Sequence, residues 1–271
     1  MPHHREIFSF AMSTISRVFE VRERTLGRVG KGHRGTFTGV AASHQPFQSG
    51  GNLIDAVFVQ PENAKPSSAV LICHGIGEVV DQWFPVQCLL AELGVASLLF
   101  DYSGYGRSPG TANWTQWEDD TVIAFERLQR LVDPMPVSIL GFSMGTGIAA
   151  AVIRRISAHR LLLCAPCTSF RAGAHSIGLP AFLLPLVPPI WDIVEALADC
   201  PVPVLVIHGD KDKLFPVQMA RDLAAIPPES RLIIISNLGH SEPFHKPTTF
   251  YWGHIVRFLE RGVETAGGTG A

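Results

Sequence analysis

A chain of 271 residues, 46% apolar and 17% charged, is long enough for one large domain with a real core. Its 22 Lys and Arg against 24 Asp and Glu leave a formal charge of −2, which excludes the basic signature of a general nucleic-acid binder. No run reaches the roughly 18 apolar residues of a membrane span, and five cysteines without a secreted-scaffold spacing read as reduced, buried thiols of a cytoplasmic protein.

Residues 1–35 form an N-terminal extension. In it Phe8, Met12, Ile15 and Phe19 fall at helical spacing, which predicts an amphipathic helix that packs on its own domain, lies on a partner or makes a peripheral membrane contact. The apolar patch Ile7 to Met12 is too short for a signal-peptide core, and Arg22, Arg24, Arg28, Lys31 and Arg34 read as a solvated basic edge. Thr36 to Val40 and Leu53 to Val59 are expected strands on either side of a Gly50-Gly51 turn, and Pro61 to Ser68 a surface loop. A βα alternation follows. Strands are expected at Ala69 to Cys73, Val95 to Phe100, Val137 to Leu140, Arg160 to Cys164, Val202 to Ile207 and Arg231 to Ile235. Helices are expected at Val79 to Leu93, Gln116 to Leu131, after Ser143, at Val217 to Ala225 and at Thr248 to Arg261. Thr115 with Glu118 reads as a capping box for the second of these. Continuous apolar strands alternating with helices predict an α/β fold, a mostly parallel sheet of about eight strands covered on both faces. Residues 168–199 interrupt the alternation; Pro180, Pro185, Pro188 and Pro189 argue for a short, apolar, irregular flap instead of a long helix or a large cap domain.

The stretch that carries chemistry is Gly141-Phe142-Ser143-Met144-Gly145, between an apolar strand and an Ala-rich helix. Alone, Gly-x-Ser-x-Gly is a weak signal in a chain with 25 glycines, and an ordinary tight βα turn is the competing reading. Strand before and helix after is the context that a nucleophile elbow needs. There the glycines admit a turn too sharp for a Cβ, and the helix N-terminus faces any developing negative charge. Serine needs a base near neutral pH, and histidine has the pKa for it. The histidine in turn needs a carboxylate to hold its tautomer. Cys164-Ala-Pro-Cys167 closes a strand, whereas a redox pair usually opens a helix, so it reads as structural. No zinc-type spacing and no Gly-rich loop ending in Lys-Ser or Lys-Thr is present, so neither metal nor nucleotide cofactor is expected.

Several motifs together resemble the α/β-hydrolase superfamily: His74-Gly75-Ile76-Gly77 after a strand, Asp101-Tyr-Ser-Gly-Tyr-Gly-Arg-Ser108, the Gly141 to Gly145 elbow, Gly209-Asp-Lys-Asp212 with Pro216, and Gly239-His240. The resemblance runs from about Ser68 to Leu259 and is most like the small-lid esterases and protein depalmitoylases (thioesterases). It implies a hydrolase domain over 36–262, with the 168–199 flap inside it and 263–271 a flexible tail. It further implies Ser143 as nucleophile, His240 as base, Asp212 as acid, and the backbone N–H groups of Ile76 and Met144 as the oxyanion hole. Asp101 would brace its own loop. The residues themselves leave Asp210 open beside Asp212 and His245 beside His240. Glu78 either caps the following helix or puts a charge at the pocket mouth. The implied reaction is hydrolysis of a small-molecule carboxylic ester or thioester with an apolar acyl portion, through an acyl-enzyme. A peptidase or amidase would use the same triad, and a non-catalytic relative would be expected to lack one of its members.

Overall fold

Six-residue runs that are apolar on both sides of the pleat can form strands only where both faces of a sheet are covered. In the computed structural model, which describes residues 39–261, every residue of β5 (Ser68–Cys73), β6 (Val95–Phe100), β7 (Val137–Phe142) and β9 (Val204–Gly209) is buried. The expected N-terminal helix, the basic stretch, residues 36–38 of the first expected strand and the tail lie outside the described residues.

The other strands are β1 (Val40–His44), β2 (Phe47–Ser49), β3 (Asn52–Ile54), β4 (Ala56–Pro61), β8 (Leu161–Cys164) and β10 (Ser230–Ile235). One eight-stranded sheet has the order β1-β4-β6-β5-β7-β8-β9-β10. β1, β4 and β6 pair antiparallel, and every later pairing is parallel. β2 and β3 form a separate hairpin whose turn is Gly50-Gly51, both at positive φ. Leu53 to Val59 is thus two strands. The break falls at Asp55, whose N–H donates to Ser108 Oγ (2.9 Å) and whose carbonyl accepts the Asp101 N–H (2.9 Å).

Helices α1 (Val80–Glu92), α2 (Trp114–Val132), α3 (Met144–Val152), α4 (Phe170–Ser176), α5 (Ile193–Ala198), α6 (Val217–Ala224), α7 (Glu242–His245) and α8 (Thr249–Arg261) cover the sheet. The pleat sorts them. Leu71 and Cys73 join a core with Phe125 and Leu128 of α2, Ile148 of α3, Leu197 of α5 and Leu223 of α6. Val70 and Ile72 point the other way, to Trp83 and Leu90 of α1 and Ile255 and Phe258 of α8. α2 begins two residues before the expected start. Its cap is Asn113, whose side chain accepts the Thr115 N–H at 3.0 Å, so Thr115 is a first-turn residue. Glu118 is freed to accept the Trp191 indole N–H at 3.0 Å.

Among the described residues, no large cap covers the sheet. The flap consists of α4, a 3-10 turn at Ala181–Leu186 and α5, so more of it is helical than its prolines suggest. Ser169 and Asp192 cap the two helices; Pro180, Pro188 and Pro189 fall between the pieces, and Pro185 lies inside the 3-10 turn. Phe182 is 78% exposed on it.

The end of β5 and the first turn of α3 touch through backbone. A Cβ on Gly145 would lie 2.0 Å from the Cys73 carbonyl oxygen, and one on Gly141 2.3 Å from the Gly145 oxygen. Gly145→Ala should therefore destabilise the fold by about 3 kcal/mol or more, at or beyond the usual cost of overpacking, read as a lower urea midpoint at unchanged slope. A midpoint equal to wild type would contradict this packing.

Candidate active site

The turn between β7 and α3 holds Ser143 at φ 52° and ψ −119°, a strained conformation that costs about 1–3 kcal/mol for a residue with a Cβ. Hydrogen bonds hold it there. The Ser143 N–H donates to the Cys164 carbonyl (3.0 Å), extending the β7–β8 pairing past its last strand residue, and its carbonyl accepts the Thr146 N–H (3.0 Å). Ser143 Oγ then lies 2.9 Å from His240 Nε2.

His240 sits in the loop between β10 and α7. Its ring lies between Phe142, with centroids 5.4 Å apart, and the edge of Phe215 at 5.2 Å. Its Nδ1 is 2.6 Å from Asp212 Oδ2. An ionised carboxylate only accepts, so Nδ1 carries the proton and Nε2 is left to accept from the serine hydroxyl.

Asp212 follows β9, and its side chain is almost fully buried. Its other oxygen accepts the N–H groups of Leu214 (2.8 Å) and Phe215 (2.9 Å). Burial pushes its pKa up. The His240 hydrogen bond and charge and the two backbone donors outweigh burial, and the net position is below the usual carboxylate value. His208 supports the same group, its Nε2 lying 3.0 Å from the Phe215 carbonyl and 3.4 Å from Asp212 Oδ2. Burial lowers the His208 pKa, so the ring is neutral and its Nε2–H is the donor. His208 directly follows the expected Val202 to Ile207 strand and directly precedes Gly209-Asp210, and that place was the available signal in the sequence.

The structure thus brings Ser143, His240 and Asp212 together and leaves the alternatives out. Asp210 is exposed and accepts the Asn237 N–H at 2.6 Å. His245 is exposed on α7 beside Phe244. The Met144 amide occupies the first position of α3, where no preceding turn supplies a carbonyl. Ile76 lies in the Gly75–Glu78 turn, which the contact of Gly145 with the Cys73 and His74 carbonyls sets against the start of α3.

Glu78 neither caps α1 nor faces out as a free charge. Its Oε2 accepts the Gly75 N–H at 2.7 Å and the Trp83 indole N–H at 3.0 Å. The first α1 amide, on Val80, donates instead to Asp101 Oδ1 (2.8 Å), while Asp101 Oδ2 accepts the Arg107 N–H (3.1 Å). Asp101 therefore braces its own loop and α1 as well. His74 is buried against Tyr102 and Tyr105, and burial pushes its pKa down to about 4. Among the described residues, no group of three or more His, Cys, Asp or Glu is placed to hold a metal ion, and no helix is long and apolar enough to cross a membrane. Cys164 and Cys167 are buried free thiols, pushed up to about 12 and about 11, the opposite of a reactive redox pair. A cavity of about 320 Å³ lined by Ser68, Ser138 and Arg160 opens at the other ends of the parallel strands, away from Ser143.

Residues 64–191 match the family described as serine aminopeptidase, S33. An uncharacterized protein of Mycobacterium tuberculosis is 33% identical over 203 residues, 73% of this chain and 70% of that one. The chain belongs to the α/β-hydrolase superfamily. This hydrolase is also 26% identical over 196 residues to the lysophosphatidylserine lipase ABHD12 of Danio rerio, covering 65% of this chain and 50% of that protein. Among solved structures, the Pyrococcus furiosus esterase Pf2001 superposes with a TM-score of 0.69 at 15% identity, over 87% of this chain and 96% of that one. At that identity the likeness concerns the fold.

Burial raises the Glu78 carboxyl to about 7, against the opposing pull of the Gly75 and Trp83 donors. Its folded pKa lies above its unfolded value, so its contribution to stability is full below about pH 4.5 and is lost as pH rises through 7. Glu78→Gln removes that titration. The wild-type melting temperature should therefore fall relative to that of Glu78→Gln between pH 5 and pH 8; parallel curves in differential scanning calorimetry would refute the raised pKa.

Proposed function

We propose that this hydrolase cleaves carboxylic esters or thioesters through a covalent acyl-enzyme on Ser143. The observation that carries the reading is the unbroken hydrogen-bonded line from Ser143 Oγ through His240 to Asp212, at 2.9 and 2.6 Å. His240 Nε2 takes the hydroxyl proton as Oγ attacks the acyl carbonyl, and the imidazolium that forms is stabilised by ionised Asp212. The tetrahedral oxyanion is held by the Ile76 and Met144 N–H groups at the positive end of α3. His240 then gives its proton to the leaving oxygen or sulfur. Water, activated by the same nitrogen, releases the carboxylic acid and restores Ser143.

Two features favour an apolar acyl group. Ile177, Phe182 and Leu186 are exposed on the flap, and Leu214 beside Asp212 is exposed as well. The matched relatives include a lysophosphatidylserine lipase, an enzyme named for a lipid substrate. The small flap and the depalmitoylase-like motifs keep thioesters within the proposed range. The substrate is a small molecule, and the N-terminal segment remains the proposed element for a peripheral membrane contact.

A fluorophosphonate probe should label wild type at Ser143 and leave Ser143→Ala unlabelled, read by mass spectrometry of the modified peptide. Among p-nitrophenyl esters, kcat/KM should rise with chain length; a flat series would remove the apolar acyl pocket. Asp212→Asn should lower kcat by about 10⁴-fold, the scale of losing the histidine tautomer, while Asp210→Asn stays within about threefold of wild type, an exposed group of the usual small effect. The reverse order would move the acid to Asp210.

A further inference from the structure

The Gly75–Glu78 turn is closed on itself in an unusual number of ways for four residues. The Gly75 carbonyl is 2.9 Å from His74 Nδ1 and 3.4 Å from the Glu78 N–H. The Gly75 N–H is taken by the Glu78 carboxylate. Gly77, at φ +72°, supplies the left-handed residue that a turn of this kind needs in its third position. The carboxylate is anchored in turn by the Trp83 indole N–H, and Trp83 is fully buried against Phe142, Phe244 and Trp252, with centroids 5.7, 4.6 and 6.2 Å away. Phe142 precedes Ser143 and touches His240.

We propose that Glu78 is a positioning residue, holding this turn in the one arrangement in which the Ile76 amide faces an acyl carbonyl over Ser143. The inference deepens the serine-hydrolase reading above and rests on it. A trans peptide sets its C=O and N–H on opposite sides. Pinning the Gly75 carbonyl to His74 and Glu78 therefore turns the N–H of the same peptide, which belongs to Ile76, the other way. The Glu78 side chain locks the preceding peptide, so the pair cannot rotate together. An oxyanion donor must be fixed before the charge develops, because one that reorients during the reaction spends its stabilisation on reorganisation. A permanent full charge in this place would oppose the oxyanion. Burial limits that by holding the carboxyl part-protonated near neutral pH, and both forms keep an oxygen to accept the two N–H groups. Acceptance, and not charge, is the function.

Glu78→Gln keeps the acceptor and Glu78→Leu removes it, so the two variants separate the roles. With a p-nitrophenyl ester, Glu78→Leu should lose on the order of 10 to 10² in kcat, short of the 10²–10³ seen when a donor is deleted outright. Its KM should stay within about twofold, because ground-state binding does not use the oxyanion donor. Glu78→Gln should recover kcat to within about threefold of wild type by the same reasoning. Trp83→Phe, which removes the anchoring N–H and also shrinks a buried ring, should lower kcat by a few-fold at unchanged KM, and it decides the matter should Glu78→Leu fail to fold. Wild-type kcat in Glu78→Leu or, in its place, in Trp83→Phe would overturn the proposal. So would a loss confined to KM, or a Gln variant as impaired as the Leu variant. Fluorophosphonate titration of Ser143 in the same preparations keeps the two readings apart. A wild type that neither labels nor hydrolyses esters refutes the serine-hydrolase reading itself, whereas an active, labelled wild type with indifferent Glu78 variants refutes only the role of Glu78.

Discussion

The site depends on a backbone crossing with no room for a side chain. Where the first turn of α3 passes the end of β5, the Gly145 α-carbon faces the Cys73 and His74 carbonyls so closely that a methyl group there would lie 2.0 Å from an oxygen. Two consequences follow from this contact. It forces the β7–α3 connection into a turn tight enough to put Ser143 at positive φ, and it brings the turn after β5 against the start of the helix. The strain at one residue is a small fraction of what the surrounding sheet contributes, since β5, β7 and β9 are buried from end to end. A rigid, doubly covered sheet is what lets a strained serine persist.

Electrostatic support is graded around the proposed triad. Asp212 gathers two backbone donors, the His240 ring and the neutral His208, and is held ionised. Asp101, which also accepts two backbone donors, is raised to about 6, burial being its largest influence and Asp55 a further like charge. Similar hydrogen bonding thus gives opposite outcomes. The difference lies in burial, which yields at Asp212 to the hydrogen bond and charge of His240 and prevails at Asp101, where the Asp55 carboxylate and the Arg107 guanidinium act in opposite directions. The first arrangement suits an acid that must stay charged through a reaction; the second suits a loop brace for which charge is incidental.

Much of this was legible in the sequence because the informative residues are either apolar in long runs or confined to tight turns. Buried parallel strands announce themselves by having no polar face, and the elbow by the glycines its sterics require. Less visible were features fixed by side chains from distant elements. The break at Asp55 depends on Ser108 and Asp101, 53 and 46 positions away in the chain. Asn113 outcompetes Thr115 as cap because the helix starts earlier than its apolar periodicity does. Short α7 has no periodicity to detect. Glu78 was undecidable in principle, because its partners, an amide three residues back and an indole five residues on, are brought together only by the turn itself.

The Ser176 hydroxyl at the end of α4 donates to the Leu214 carbonyl at 2.6 Å, and the N–H of that same peptide, on Phe215, is one of the two that hold Asp212. The flap is therefore stitched to the loop that carries the proposed acid. A change in the flap that moves α4 also moves the peptide that positions this carboxylate. The 3-10 turn around Phe182 lies outside that stitch, so the flap divides into a part tied to the loop of the proposed acid and a part that is not.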